Sequence, residues 1–164
     1  MPHQDGSPQP AVIPSSTSPT AEPAAAWELS PARVRVRYAD TDAMGVVYYA
    51  NYLAFFETGR VEAMRQIGAD YAGVVSRGVH LAVVEASVRY RRPAYFDDVL
   101  LVAAHAEDLR RVRFTFRYHV VRETDQELIA TGQSVHACVN ATSLRPVQIP
   151  AWLRHELNRL CKPT

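Results

Sequence analysis

Cysteine is scarce in this chain. Cys138 and Cys161 are far apart and outside any CxxC spacing. That excludes a disulfide framework and speaks against a thiolate zinc site, so both are expected as reduced thiols in a cytosolic protein. Charge of one sign is missing too: 18 Lys and Arg stand against 17 Asp and Glu, a net charge of +1. Nothing in that balance asks for nucleic acid or an anionic membrane surface as partner. No apolar run reaches the ~18 residues a spanning helix needs, so no stable membrane insertion is expected. The first thirty residues hold neither Lys nor Arg, and their apolar run Ala24 to Trp27 is too short for a secretory signal.

What those thirty residues have is proline, at Pro2, Pro8, Pro10, Pro14, Pro19 and Pro23, among many Ser, Thr and Ala. Residues 1–30 are therefore expected to form a disordered tail. Residues 31–164 are expected to form one domain, and 48% hydrophobic residues suffice for a core.

The folded part opens with alternation. Val34, Val36 and Tyr38 are expected on one face of a strand, with Arg33, Arg35 and Arg37 on the solvated other. From Asn51 the period changes to three and four. Tyr52, Phe55, Phe56, Gly59, Ala63, Met64 and Ile67 form a broad stripe on a helix of roughly four to five turns. Gly59 is expected to admit a neighbouring backbone, Gly68 to end the helix, and Glu57, Arg60, Glu62 and Arg65 to mark its wetter sides. A short helical segment over 70–76 is closed by Gly78. Four alternating stretches follow, 79–91, 98–107, 111–122 and 127–140, with hairpin turns at 108–110 and 124–126. Pro146 and Pro150 break the chain before a terminal helix over 151–160. No helix separates the later strands, so they pair antiparallel. This predicts an α+β domain, five antiparallel strands curled around one buried helix. An open sheet edge would accept a second copy, so a homodimer or homotetramer is expected.

The chemistry gathers where the first strand ends. Asp40 and Asp42 precede Gly45 and the start of the long helix. A carboxylate beside free helix N-terminal N–H groups suits acyl transfer: the acid attacks or activates water, and the amides stabilise an oxyanion. An aspartate here also serves as an ordinary turn residue. Glu57 on the helix is a rival acid. His80, His105, His119 and His136 lack ligand spacing and read as surface or satisfied core residues; no metal or cofactor is expected.

The run from Val36 to Glu57, with Asp40-Thr-Asp42, Gly45-Val-Val and Tyr49 leading into the helix, resembles the opening of hotdog-fold acyl-CoA thioesterases of the 4-hydroxybenzoyl-CoA thioesterase and YbgC type. Tyr90-Arg-Arg-Pro-Ala-Tyr-Phe-Asp-Asp98 resembles a second segment of that family. The resemblance implies a hotdog fold, an acyl-CoA substrate and active sites between subunits. It makes Asp42 the catalytic carboxylate and Asp40 scaffold. It places Tyr49 where a backbone N–H polarises the thioester carbonyl, with Gly45 shaping the turn. The Tyr49 position is His in many YbgC-type members and Tyr in the 4-hydroxybenzoyl type, which leaves substrate class open. Tyr52 is a candidate lining residue of the acyl pocket. Coenzyme A carries phosphates, and Arg91, Arg92 and Arg111 are the candidate contacts. A non-hydrolytic acyl-CoA or acyl-carrier-protein binding module is the alternative. A hotdog dehydratase is disfavoured because its His-centred motif is not seen.

Overall fold

The computed structural model describes residues 29–161. The tail expected over residues 1–30 falls, up to residue 28, outside the described residues. Strand β1 (Ala32–Arg35) is followed by a 3₁₀ turn (Tyr38–Asp40), the long helix α1 (Asn51–Gln66) and a short helix α2 (Tyr71–Ser76). Strands β2 (Val79–Tyr90), β3 (Val99–Glu107), β4 (Arg113–Arg122) and β5 (Leu128–Asn140) come next, then helix α3 (Ala151–Asn158). They form one five-stranded sheet in the order β1-β3-β4-β5-β2, and every pair is antiparallel. A sheet curled on a central helix is the hotdog architecture.

The apolar stripe of α1 is buried throughout, from Tyr52 to Ile67. Gly59 sits against β3: a Cβ there would lie 2.6 Å from Val102 Cγ1 and 3.0 Å from its carbonyl oxygen. One turn earlier Phe56 stacks on Tyr118 of β4, with 4.4 Å between ring centroids and 2° between planes. Gly132 of β5 leaves room for that ring, since a Cβ there would fall 2.2 Å from Phe56. The helix ends in a Schellman motif. Gly68, at φ +78°, donates to the Arg65 carbonyl, and Ala69 donates to that of Met64. Both hairpin turns are present, with Asp108 and Gln126 in the left-handed region at φ 52° and 57°.

Two expectations are corrected. Tyr38 does not continue the buried face of β1. The backbone leaves the sheet after Val36 and enters the 3₁₀ turn, which leaves Tyr38 80% exposed. Arg60 is not on a wet side of α1 but 6% exposed. Its guanidinium donates to the Tyr71 hydroxyl and lies 5.0 Å from that ring's centroid. Nearby, Tyr118, Ser134 and His136 form a buried chain, with Tyr118 Oη 2.6 Å from Ser134 Oγ and that oxygen 2.7 Å from His136 Nε2. Burial first, and the charge of Arg60 second, push the His136 imidazole down to about 4.

Candidate active site

Between β1 and α1 the chain builds a clasp around Asp40. This residue is 4% exposed. Its carboxylate accepts from the Arg37 backbone at 2.8 Å and from the Arg37 guanidinium at 3.1 and 2.7 Å. That side-chain pairing holds the acid below the usual carboxylate range. Its carbonyl accepts the Tyr48 N–H at 2.8 Å and Asn51 Nδ2 at 2.9 Å. Asp40 therefore joins the turn to the first residue of α1 and is fully committed to structure.

Asp42 is placed differently. The Asp42 N–H donates to the Val46 carbonyl, and Gly45 N–H donates back to the Asp42 carbonyl, both at 2.9 Å. Gly45 takes φ +76°, which a side chain would strain. Val47 N–H, at 2.8 Å from the Ala94 carbonyl, and the Val46–Tyr95 bridge pin this loop to the segment after β2. One carboxylate oxygen, Oδ1, accepts the Met44 N–H at 2.8 Å. The other, Oδ2, accepts no hydrogen bond and joins no ion pair among the described residues. The side chain is half-buried, oriented at one oxygen and open at the other.

The N-terminus of α1 completes the arrangement. Ala50 caps the helix without any side-chain bond, and Asn51 spends its amide on Asp40 instead. Among the described residues the N–H groups of Tyr49 and Ala50 find no acceptor, so they and the helix dipole are available to an anionic oxygen. The Tyr90 hydroxyl donates to the Tyr49 carbonyl at 2.9 Å. The same peptide unit carries the Ala50 N–H. The Tyr48 hydroxyl is held above its ordinary value, by its hydrogen bond with Tyr49 first and by the negative charge of Asp42 last. Asp42, Tyr48, Tyr49 and Tyr90 thus share one neighbourhood. Tyr49, Tyr90, Tyr95 and Phe96 expose 61%, 48%, 46% and 58% of their surface around it, an apolar collar suited to a contact.

The other expected residues fall in three places. Tyr52 is only 3% exposed, edge-on to Phe55 and Tyr90 at 5.8 and 5.3 Å, and burial pushes its hydroxyl up to about 12. It supports the loop from inside the core. Arg91 and Arg92 follow β2 beside the segment that pins the loop; Arg92 pairs with Glu127 at 3.1 Å, whereas the buried Nε of Arg91 has no acceptor among the described residues. Arg111 is exposed near the β3–β4 hairpin, at the opposite end of that strand pair from the Asp42 loop. Glu57 stands on the outer face of α1, 3.8 Å from Arg60 Nη2, in an open groove of about 740 Å³ with Arg33 and Glu62.

Two residues escaped the sequence reading. Tyr90 opened the second family-like segment and was given no role. Arg122 joins Asp98 at 3.1 Å, Asp125 at 2.7 Å and the Pro93 carbonyl at 2.7 Å, and so braces the segment under the Asp42 loop. Its spacing along β4 carries no sign of those partners. Among the described residues no group of three or more His, Cys, Asp or Glu is placed to hold a metal ion. No helix among them is long and apolar enough to cross a membrane.

A curled antiparallel sheet on a buried central helix defines a hotdog domain. The chain belongs to the thioesterase-like superfamily, whose model matches residues 36–157. Among its relatives, the acyl-CoA thioester hydrolase YbgC of Escherichia coli O6:H1 is 32% identical over 117 residues, covering 71% of this chain and 87% of that one. The 1,4-dihydroxy-2-naphthoyl-CoA hydrolase of Thermosynechococcus vestitus is 35% identical over 124 residues, with 73% and 84% covered. A crystal structure of a hypothetical protein, TT1821 from Thermus thermophilus, superposes with a TM-score of 0.74 at 36% identity, over 80% of this chain and 99% of that one.

Proposed function

We propose that the protein hydrolyses an acyl-CoA thioester to the free acid and coenzyme A, with Asp42 as the reacting carboxylate. The observation that carries this reading is the unpartnered Oδ2 of Asp42 in the loop that feeds α1, where the Tyr49 and Ala50 N–H groups also have no acceptor among the described residues. The activities named for the relatives agree with it. In one route Asp42 removes a proton from water as the water oxygen attacks the carbonyl carbon. In the other the carboxylate attacks directly, and water then hydrolyses the mixed anhydride. In both, the C–S bond breaks and the sulfur leaves as thiolate, taking up a proton in solution. The oxyanion formed on the way is stabilised by the Tyr49 and Ala50 N–H groups, each worth about 3 kcal/mol by analogy with known oxyanion donors. Tyr90, bonded to the carbonyl of the same peptide unit, orients and polarises the Ala50 N–H. It is a positioning residue.

In this reading Arg91 contacts a phosphate of coenzyme A, Arg92 shares that work with its Glu127 pair, and Arg111 has no part. The exposed aromatic collar receives a second copy of the chain, which completes the acyl pocket. The β2 edge, with Val83 and Val84 exposed at 56% and 57%, supplies the pairing surface for a homodimer or homotetramer. Free thiols at Cys138 and Cys161 fit a cytosolic enzyme. The test is release of free coenzyme A from a panel of short, long and aromatic acyl-CoAs. Turnover of at least one is expected; binding without release from any would replace the enzyme by a binding module.

A further inference from the structure

The outer face of the sheet, turned away from α1, carries a depression of about 410 Å³ that shares only Arg91 with the coenzyme A contacts proposed above. Strand register builds it from two adjacent cross-strand rows. Arg89 of β2 stands opposite Thr131 of β5, which stands opposite His119 of β4. In the next row Ser87 faces Gln133, which faces Arg117. Arg91 closes one end. Because side chains alternate along a strand, Tyr90 points to the reaction loop while Arg89 and Arg91 flank it on the outer side.

The charges in this depression are unbalanced. Arg117 is paired with Glu107. Arg89 and Arg91 have no carboxylate partner among the described residues, and the Nε of Arg91 is buried with no acceptor. No acidic residue lines the depression, while Ser87, Thr131 and Gln133 add neutral donors. Donors in excess, two of them unpaired planar guanidinium forks, match the oxygens of a phosphate. The volume suits a small molecule rather than a polymer, and the near-neutral chain charge of +1 gives no general attraction for nucleic acid.

We propose that this outer-face pocket binds the phosphate group of a small phosphorylated ligand. The phosphates of coenzyme A and those of a separate metabolite offer the same chemistry. The site stands or falls independently of what Asp42 does.

The test is calorimetric titration of the full chain with inorganic pyrophosphate in phosphate-free, low-salt buffer, followed by coenzyme A and by dephospho-coenzyme A. Saturable pyrophosphate binding is expected. Arg89→Ala should weaken it by about tenfold or more, as loss of a charge-assisted bond does. Gln133→Glu, nearly isosteric, should weaken it similarly by setting a carboxylate against the phosphate. Circular dichroism melts verify that both variants fold. Displacement by coenzyme A but poorly by the dephospho form identifies the substrate's 3′-phosphate as the occupant. Failure of coenzyme A to displace pyrophosphate identifies a separate ligand, and either result supports the site. No saturable binding of pyrophosphate, or binding that neither variant alters, would overturn it.

Discussion

At the residue scale, two aspartates two positions apart are held in different ways. Every oxygen of Asp40 is engaged, chiefly by Arg37, whereas Asp42 keeps one oxygen free. Tyr90 matters through a single bond to the Tyr49 carbonyl. Tyr90→Phe removes that hydroxyl and keeps the ring against Tyr52. Steady-state kinetics should show kcat lower by about three- to tenfold with KM little changed, the mark of an interaction strengthened in the transition state. His136 carries a pH signature. Its folded value, about 4, lies below the 6.5 of a free imidazole, so the unfolded chain binds a proton that the folded chain refuses. Stability should be constant above about pH 7, fall as pH drops from about 6.5 to 4, and lose about 3 kcal/mol in all. Denaturant melts at several pH values check this, and His136→Gln should flatten that part of the profile.

At the element scale, close packing of α1 against the sheet depends on two glycines. Gly132→Ala drives a methyl to 2.2 Å from Phe56 and 2.6 Å from the Ser87 carbonyl, and the backbone contact cannot yield by a rotamer change. A loss of about 2–3 kcal/mol is expected. Gly59→Ala meets the Val102 side chain first and gains about 1 kcal/mol of helix propensity, so it should cost less. Thermal melts of the two variants test that order. The elements themselves were legible, because period two and period 3.6 survive in single positions along the chain. The helix stripe, the Gly68 terminus and the four long strands all follow from such spacing. Arg60 was misread because its charge outweighed its angle: four residues after Phe56 and three before Ala63, it lies on the stripe. What makes its burial tolerable is the hydroxyl of Tyr71, which spacing along α1 cannot reveal. Tyr38 was misread because alternation does not announce a 3₁₀ turn.

At the scale of the whole molecule, the site is a meeting of segments remote in sequence. The Asp42 loop, the start of α1 and the end of β2 are joined by Val47 to Ala94 and Tyr90 to Tyr49 contacts. Spacing alone indicated an acid before a buried helix. The family resemblance distinguished Asp42 from Asp40, and their hydrogen bonds differ in the same sense: Asp40 is fully engaged, while Oδ2 of Asp42 has no partner among the described residues. The brace through Arg122 and the outer-face pocket were hidden, since the pocket arises only when β2, β5 and β4 come into register and the brace only when the end of β4 meets the loops holding Pro93, Asp98 and Asp125. The exposed β2 edge carries a prediction of its own. Val84→Arg should shift the protein toward monomer in sedimentation velocity and lower activity with it; an unchanged assembly would remove β2 from the interface. The most direct measurement compares coenzyme A release by the wild type and by Asp42→Asn on the best acyl-CoA of the panel. The amide keeps the shape and can still accept the Met44 N–H, but it can neither attack nor take a proton. A fall in kcat of about 100-fold or more, with an unchanged melt, is expected; equal rates for the two proteins would contradict the assignment of Asp42.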